Sequence, residues 1–98
     1  MDATMITDSR VLELRQAGRS FRFIAQKVGL ERPADAWIAF NRALRRHGPD
    51  EQEGLRRDEM GRLDALSEAI RSSAELSPED QTKRLASIDR MRQRLLAV

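Results

Sequence analysis

The chain has 98 residues with a formal net charge of +2, and 40% of them are hydrophobic and 35% charged; there is no Cys, no Tyr and a single His. That length fits one small domain, or a compact module with an appendage, and supports only a modest core. The cysteine count excludes disulfides and thiolate metal sites, the lone His47 excludes a multi-His site within one chain, and no apolar run approaches a membrane span.

The N-terminal MDATMITDSR has neither a basic n-region nor an apolar segment, so no signal peptide is expected and the expected setting is cytoplasmic. Ala, Leu, Arg and Glu are abundant and β-branched residues few, which predicts an all-α fold. Residues 1–8 lack anchoring groups and are expected to fray. A first helix is expected from Asp8 to Ala17, with Asp8 or Ser9 as its cap and Gly18 ending it in the left-handed conformation.

Ser20 is the natural cap of a short second helix, Phe21 to Val28, whose inward face is Phe21, Ile24, Ala25 and Val28. Gly29 stops that helix. Leu30 to Pro33 forms a turn in which Pro33 suits the first position of the third helix. That helix runs from Pro33 to Arg46, with Ala36, Phe40, Ala43 and Leu44 on one stripe and Arg42, Arg45 and Arg46 at the negative end of its dipole. Gly48-Pro49 then marks the boundary between a domain of residues 1–48 and one of residues 49–98.

Beyond the boundary the sequence is long and charged. Leu55, Met60, Leu63, Leu66 and Ile70 recur at near-heptad intervals through a fourth helix. Ser77-Pro78-Glu79-Asp80 restarts the chain in a fifth helix, with Ser77 as cap and Leu85, Ile88, Met91 or Arg92, and Leu95 on its stripe. So short a link predicts an antiparallel two-helix hairpin with Leu63, Leu66, Ile70, Leu85, Ile88 and Leu95 as its seam. Met60, Met91 and Leu96 lie beside the seam and are the candidate contacts between copies of the chain.

A short helix with Ala at its inner bend, a Gly after it and a third amphipathic helix describe a helix-turn-helix. Ala25 lets helices two and three approach closely, and Gly29 supplies a positive φ. The commonest spacing places an apolar residue at position 35; here that is Asp35, while Ala36 and Phe40 fit, so the turn is read as one residue longer. The face opposite the core stripe then holds Ala34, Ile38, Asn41 and Arg45, with Arg42 beside them. Asn and Arg can pair with base edges, and Ile can touch a thymine methyl. Arg19 and Arg22, at the start of helix two, are placed for phosphates. The candidate DNA-binding set is Arg19, Arg22, Arg32, Ile38, Asn41, Arg42, Arg45 and Arg46; a purely solvated face is the competing reading.

Trp37 reads as a packing anchor against the fourth helix and His47 as a helix-end cap. Asp58, Glu59 and Asp64 alternate with Arg and read as surface pairs. No catalytic constellation, phosphate loop, cofactor motif or metal cluster is visible, so a non-enzyme without cofactor is expected. Residues 1–49 carry nine Lys/Arg against five Asp/Glu, and residues 50–98 nine against eleven. A basic half beside a mildly acidic half fits a DNA-contacting head on a protein-contacting body.

The stretch VLELRQAGRSFRFIAQKVGL, the later NRALRR and the segment LRRDEMGRLDAL resemble small helix-turn-helix proteins of actinobacterial phages identified as terminase small subunits. The shared pattern falls on Ala17-Gly18, Ser20, Ile24-Ala25, Gly29, Arg42-Ala43-Leu44, Glu59, Arg62-Leu63-Asp64 and Leu66, and covers residues 10–70. The resemblance implies a DNA-packaging protein that binds the viral packaging start, self-assembles into a ring and hands double-stranded DNA to the terminase large subunit in the host cytoplasm. Two alternatives share the same head: a dimeric phage regulator and a recombination accessory factor. A further alternative is an adaptor whose helices bind another protein and not DNA.

Overall fold

The computed structural model describes residues 2–97 and contains five α-helices and, among the described residues, no strand. They are α1 (Ala3–Gln16), α2 (Phe21–Val28), α3 (Pro33–Arg45), α4 (Pro49–Arg71) and α5 (Pro78–Leu96). No helix is long and apolar enough to cross a membrane. The chain divides into two compact units, one ending at Gln52 and the next beginning at Glu53. The division lies just inside α4, whereas the break at Gly48-Pro49 coincides with the start of that helix.

In the first unit α1, α2 and α3 pack on one another. The expected fraying does not hold for residues 2–8, Met1 lying outside the described residues, and the helix does not start at Asp8. α1 begins at Ala3, where Asp2 accepts a hydrogen bond from the Met5 N–H at 2.8 Å and serves as its cap. Asp8 is instead a mid-helix residue. The buried positions of α1 are Asp8, Val11, Leu12 and Arg15, spaced i, i+3, i+4 and i+7, which is one helical stripe with a charged residue at each end. α1 closes on Gly18 at φ +89°, with the Arg19 N–H bonded to the Leu14 carbonyl and the Gly18 N–H to that of Arg15.

Short-range signals place α2 as expected. The Ser20 hydroxyl accepts from the Phe23 N–H at 3.1 Å, and Gly29 takes φ +82° so that the Leu30 N–H can reach the Ala25 carbonyl. Pro33 opens α3, where its missing N–H is no loss. The core joins Val11 and Leu12 with Ile24, Ala25, Ala36, Ala39, Phe40, Ala43 and Leu44. Phe21, Trp37 and Phe40 form an aromatic trio, with Phe21 edge-on to both others and Trp37 stacked on Phe40 at 5.8 Å. Trp37, expected against α4, has Phe21 and Phe40 as its ring contacts.

The second unit joins most of α4 to α5. Its buried residues are Glu59, Leu63, Ser67 and Ile70 on α4, with Ile88 and Leu95 on α5. Contacts between the two helices run in opposite chain order. Arg56 donates to the Leu95 carbonyl at 3.1 Å, Arg92 to Asp64 and Ser67, and Gln81 to the Ser73 carbonyl. Leu66, expected in the seam, is 47% exposed, and Ser67 occupies the inward position instead. Arg92 accounts for the difference: it reaches the Ser67 hydroxyl at 2.7 Å, while that hydroxyl donates to the Leu63 carbonyl, so a small polar residue fits where Leu was expected. Glu59, read as a surface carboxylate, is fully buried and accepts from Arg62 at 2.7 Å. Ser77 accepts from the Asp80 N–H and starts α5 at Pro78 as the sequence indicates.

Candidate nucleic-acid interface

α3 divides cleanly into two arcs. Ala36, Trp37, Ala39, Phe40, Asn41, Ala43 and Leu44 are buried, and Ala34, Ile38, Arg42 and Arg45 are exposed, as is Arg46 at the C-cap. Ile38 thus stands exposed among basic side chains. The helix is rotated relative to the expected face, so Asn41 does not lie on it. Asn41 is 3% exposed, and its side-chain amide donates to the Trp37 carbonyl at 2.9 Å. An Asn spent on the turn below it is not available to a base.

Each cation of the candidate set has a distinct environment. Arg22 is exposed on the first turn of α2. The Arg19 guanidinium lies 5.2 Å from the centre of the Phe23 ring, and Phe23 itself is 40% exposed. Arg32 precedes α3 and pairs with Asp35 through Nη2 at 3.0 Å. Asp35 therefore faces a cation and not the core, which explains why an acidic residue is tolerated at the position where an apolar one was expected. The hydrogen bond from Arg32 is the main cause holding the Asp35 carboxyl below its ordinary range. Arg45 is exposed on the same arc as Ile38.

Arg42 and Arg46 are not free-standing. Both are tied to Asp8 of α1, whose two carboxylate oxygens accept from Arg42 Nε at 2.9 Å, Arg42 Nη2 at 3.0 Å and Arg46 Nη1 at 3.0 Å. The Asp8 side chain is 1% exposed, against 47% for Arg42 and 37% for Arg46. Burial opposes the Asp8 charge, but the hydrogen bonds and charges of Arg42 and Arg46 outweigh it and hold the carboxyl below its usual value. Sequence reading missed this cluster because its members stand 34 and 38 residues apart and Asp8 looks like a helix cap. The one local clue was that Asp8 falls in register with Val11, Leu12 and Arg15.

Arg15 completes the charged edge of α1. Its guanidinium sits 4.0 Å over the Phe21 ring and Nη1 donates to the Arg19 carbonyl, which fixes the turn that carries Arg19. His47 pairs its Nδ1 with Glu51 at 2.7 Å, and the Gln52 amide donates to the His47 carbonyl beyond the end of α3. Among the described residues no group of three or more His, Cys, Asp or Glu is placed to hold a metal ion.

The three candidate assembly residues fall in two places on the second unit. Met60 and Leu96 share a shallow groove with Arg56, Arg57, Gly61 and Asp64, and Leu96 is 60% exposed. Met91 lies in a separate groove with Leu66, Ile70, Ser87 and Ile88, rimmed by Arg84. The two grooves have no lining residue in common. No protein-family model, curated protein or solved structure matches the chain.

Proposed function

We propose that α1–α3 form a helix-turn-helix head that binds double-stranded DNA, and that α4 and α5 form an antiparallel hairpin through which copies of the chain assemble, as in a phage terminase small subunit. The observation that carries the DNA reading is the exposed arc of α3. It presents Ile38 amid Arg42, Arg45 and Arg46, and its opposite arc is fully buried against α1 and α2. The short α2, the left-handed Gly29 and close-packed Ala25 support the same reading, because each is what a tight helix crossing demands. In this reading Ile38 and Arg45 face the bases, Arg19 and Arg22 meet phosphate, and Asn41 is a core residue.

Two separate grooves on the hairpin, one lined by Leu66, Ile70, Ile88 and Met91 and the other by Met60 and Leu96 among charged residues, favour a ring over a two-fold dimer. A heterologous ring needs two different patches per subunit, whereas a two-fold dimer needs one self-complementary patch. A dimeric regulator with the same head is the alternative, and stoichiometry separates the two. The chain itself carries no catalytic set in this reading. It binds DNA and a large-subunit partner, and the chemistry of packaging lies with that partner.

The experiment is a titration of duplex DNA at several salt concentrations, paired with light scattering of the free protein. Binding whose logarithm of affinity falls linearly with the logarithm of salt, and a mass of many subunits, is the expected result. A monomer at micromolar concentration defeats the assembly reading. Absence of duplex binding at low salt defeats the DNA reading and leaves the adaptor.

A further inference from the structure

The Asp8 cluster places a buried negative charge directly behind two of the cations on the DNA face. Arg42 spends Nε and Nη2 on Asp8 and Arg46 spends Nη1, leaving Nη1 of Arg42 and Nε and Nη2 of Arg46 directed elsewhere. Both side chains remain more than a third exposed while bonded to Asp8. Asp8 cannot follow them outward, because it stands in the middle of α1 and its side chain is 1% exposed. If the arginines left for phosphate, an unpaired carboxylate would stay buried, which is strongly unfavourable. They therefore meet DNA while still bonded to Asp8. Two guanidinium charges less one carboxylate leave one net positive charge for phosphate.

We propose that Asp8 is a built-in counter-charge that restrains sequence-independent DNA binding: it fixes Arg42 and Arg46 at the edge of α3 and halves the net charge they offer to phosphate. The inference rests on the DNA-binding reading and deepens it, since weak binding to any duplex widens the margin by which a correct site is favoured. It has an uncommon consequence. A substitution that removes a buried ion pair, and so loosens the fold, strengthens binding to arbitrary DNA.

The test uses the full chain and a 20-base-pair duplex of arbitrary sequence, titrated between 50 and 300 mM salt below the melting temperature of each variant. Asp8→Asn adds one net positive charge, so the salt slope steepens by about one and affinity at 0.1 M salt rises by about eightfold, from a slope of about 0.9 per phosphate contact. A slope that is unchanged or shallower in folded Asp8→Asn overturns the inference and leaves Asp8 a purely structural staple. Should Asp8→Asn show no helical circular dichroism, Arg46→Gln decides, because it keeps the two-bond Arg42–Asp8 pair. Its slope falls by about one if the cluster acts as stated, and an unmoved slope overturns it. Wild-type protein that binds no duplex at all defeats the DNA-binding reading itself, and this inference with it.

Discussion

Asp8 and Arg42 meet through two parallel hydrogen bonds, Nε to Oδ2 at 2.9 Å and Nη2 to Oδ1 at 3.0 Å, and so join α1 to α3 across 34 residues of chain. Paired geometry of this kind is directional as well as attractive, and it pins the rotation of α1 about its own axis against α3. Replacing Arg42 by Ala leaves Asp8 buried with Arg46 as its remaining partner. Breaking a fully buried pair costs about 3–5 kcal/mol, and the half-exposed Arg42 together with the retained Arg46 reduces the expected loss to about 1–2 kcal/mol. Urea unfolding measures it; an unchanged midpoint would show that Asp8 needs only Arg46.

The same carboxylate gives the fold a signature in acid. Its folded pKa lies below the ordinary 3.8, so its contribution is fully present above that value and is lost as pH falls through the lower folded value. Thermal midpoints of wild type and Asp8→Asn should therefore differ at pH 6 and converge as pH drops below about 4. A gap of constant size down to pH 2.5 would place the stabilisation in shape and not in charge.

Ala25 is 3% exposed where α2 passes α3. Ala25→Leu inserts three carbons into that crossing, and overpacking of this kind costs about 1–3 kcal/mol. Thermal melts that match wild type would remove the close crossing, and with it the helix-turn-helix reading.

Asn41 provides a test of which arc of α3 faces outward. Its amide is buried on the Trp37 carbonyl, so Asn41→Ala should lower stability by about 1 kcal/mol and leave the salt slope of duplex binding unmoved. Arg22→Ala should do the reverse, keeping the melt and flattening the slope by about one. If Asn41→Ala alone abolishes binding at full stability, the interface is rotated from the arc described.

For assembly the informative position is Leu96, 60% exposed at the mouth of the groove that holds Met60. Leu96→Asp leaves the buried Leu63, Ile70, Ile88 and Leu95 in place but puts a charge into any interface formed there. The expected result is a lower mass by light scattering with the helical circular dichroism retained. Met91→Asp probes the second groove in the same way, and a ring requires both. Should both variants keep the wild-type mass, the copies meet elsewhere.

The signals that set α2, α3 and the start of α5 are local, and they were legible in the sequence. Ser20, Gly29, Pro33 and Ser77-Pro78 act on hydrogen-bond partners within a turn of chain, so their effect does not depend on what packs nearby. The all-helical character and most of the apolar core followed from the same short-range periodicity. Three features were decided only by tertiary structure: the outward arc of α3, the replacement of Leu66 by Ser67 in the seam, and the role of Asp8. Each depends on the rotation of one helix against another. A rotation of about 60° moves Asn41 from surface to core, and spacing rules that divide a helix into broad faces do not resolve it. That rotation is set by contacts made across tens of residues, Arg42 and Arg46 on Asp8 in one unit and Arg92 on Ser67 in the other. A polar residue inside a buried stripe carries no mark in one dimension that separates it from a solvated one. Only the partner that reaches it in space makes the difference.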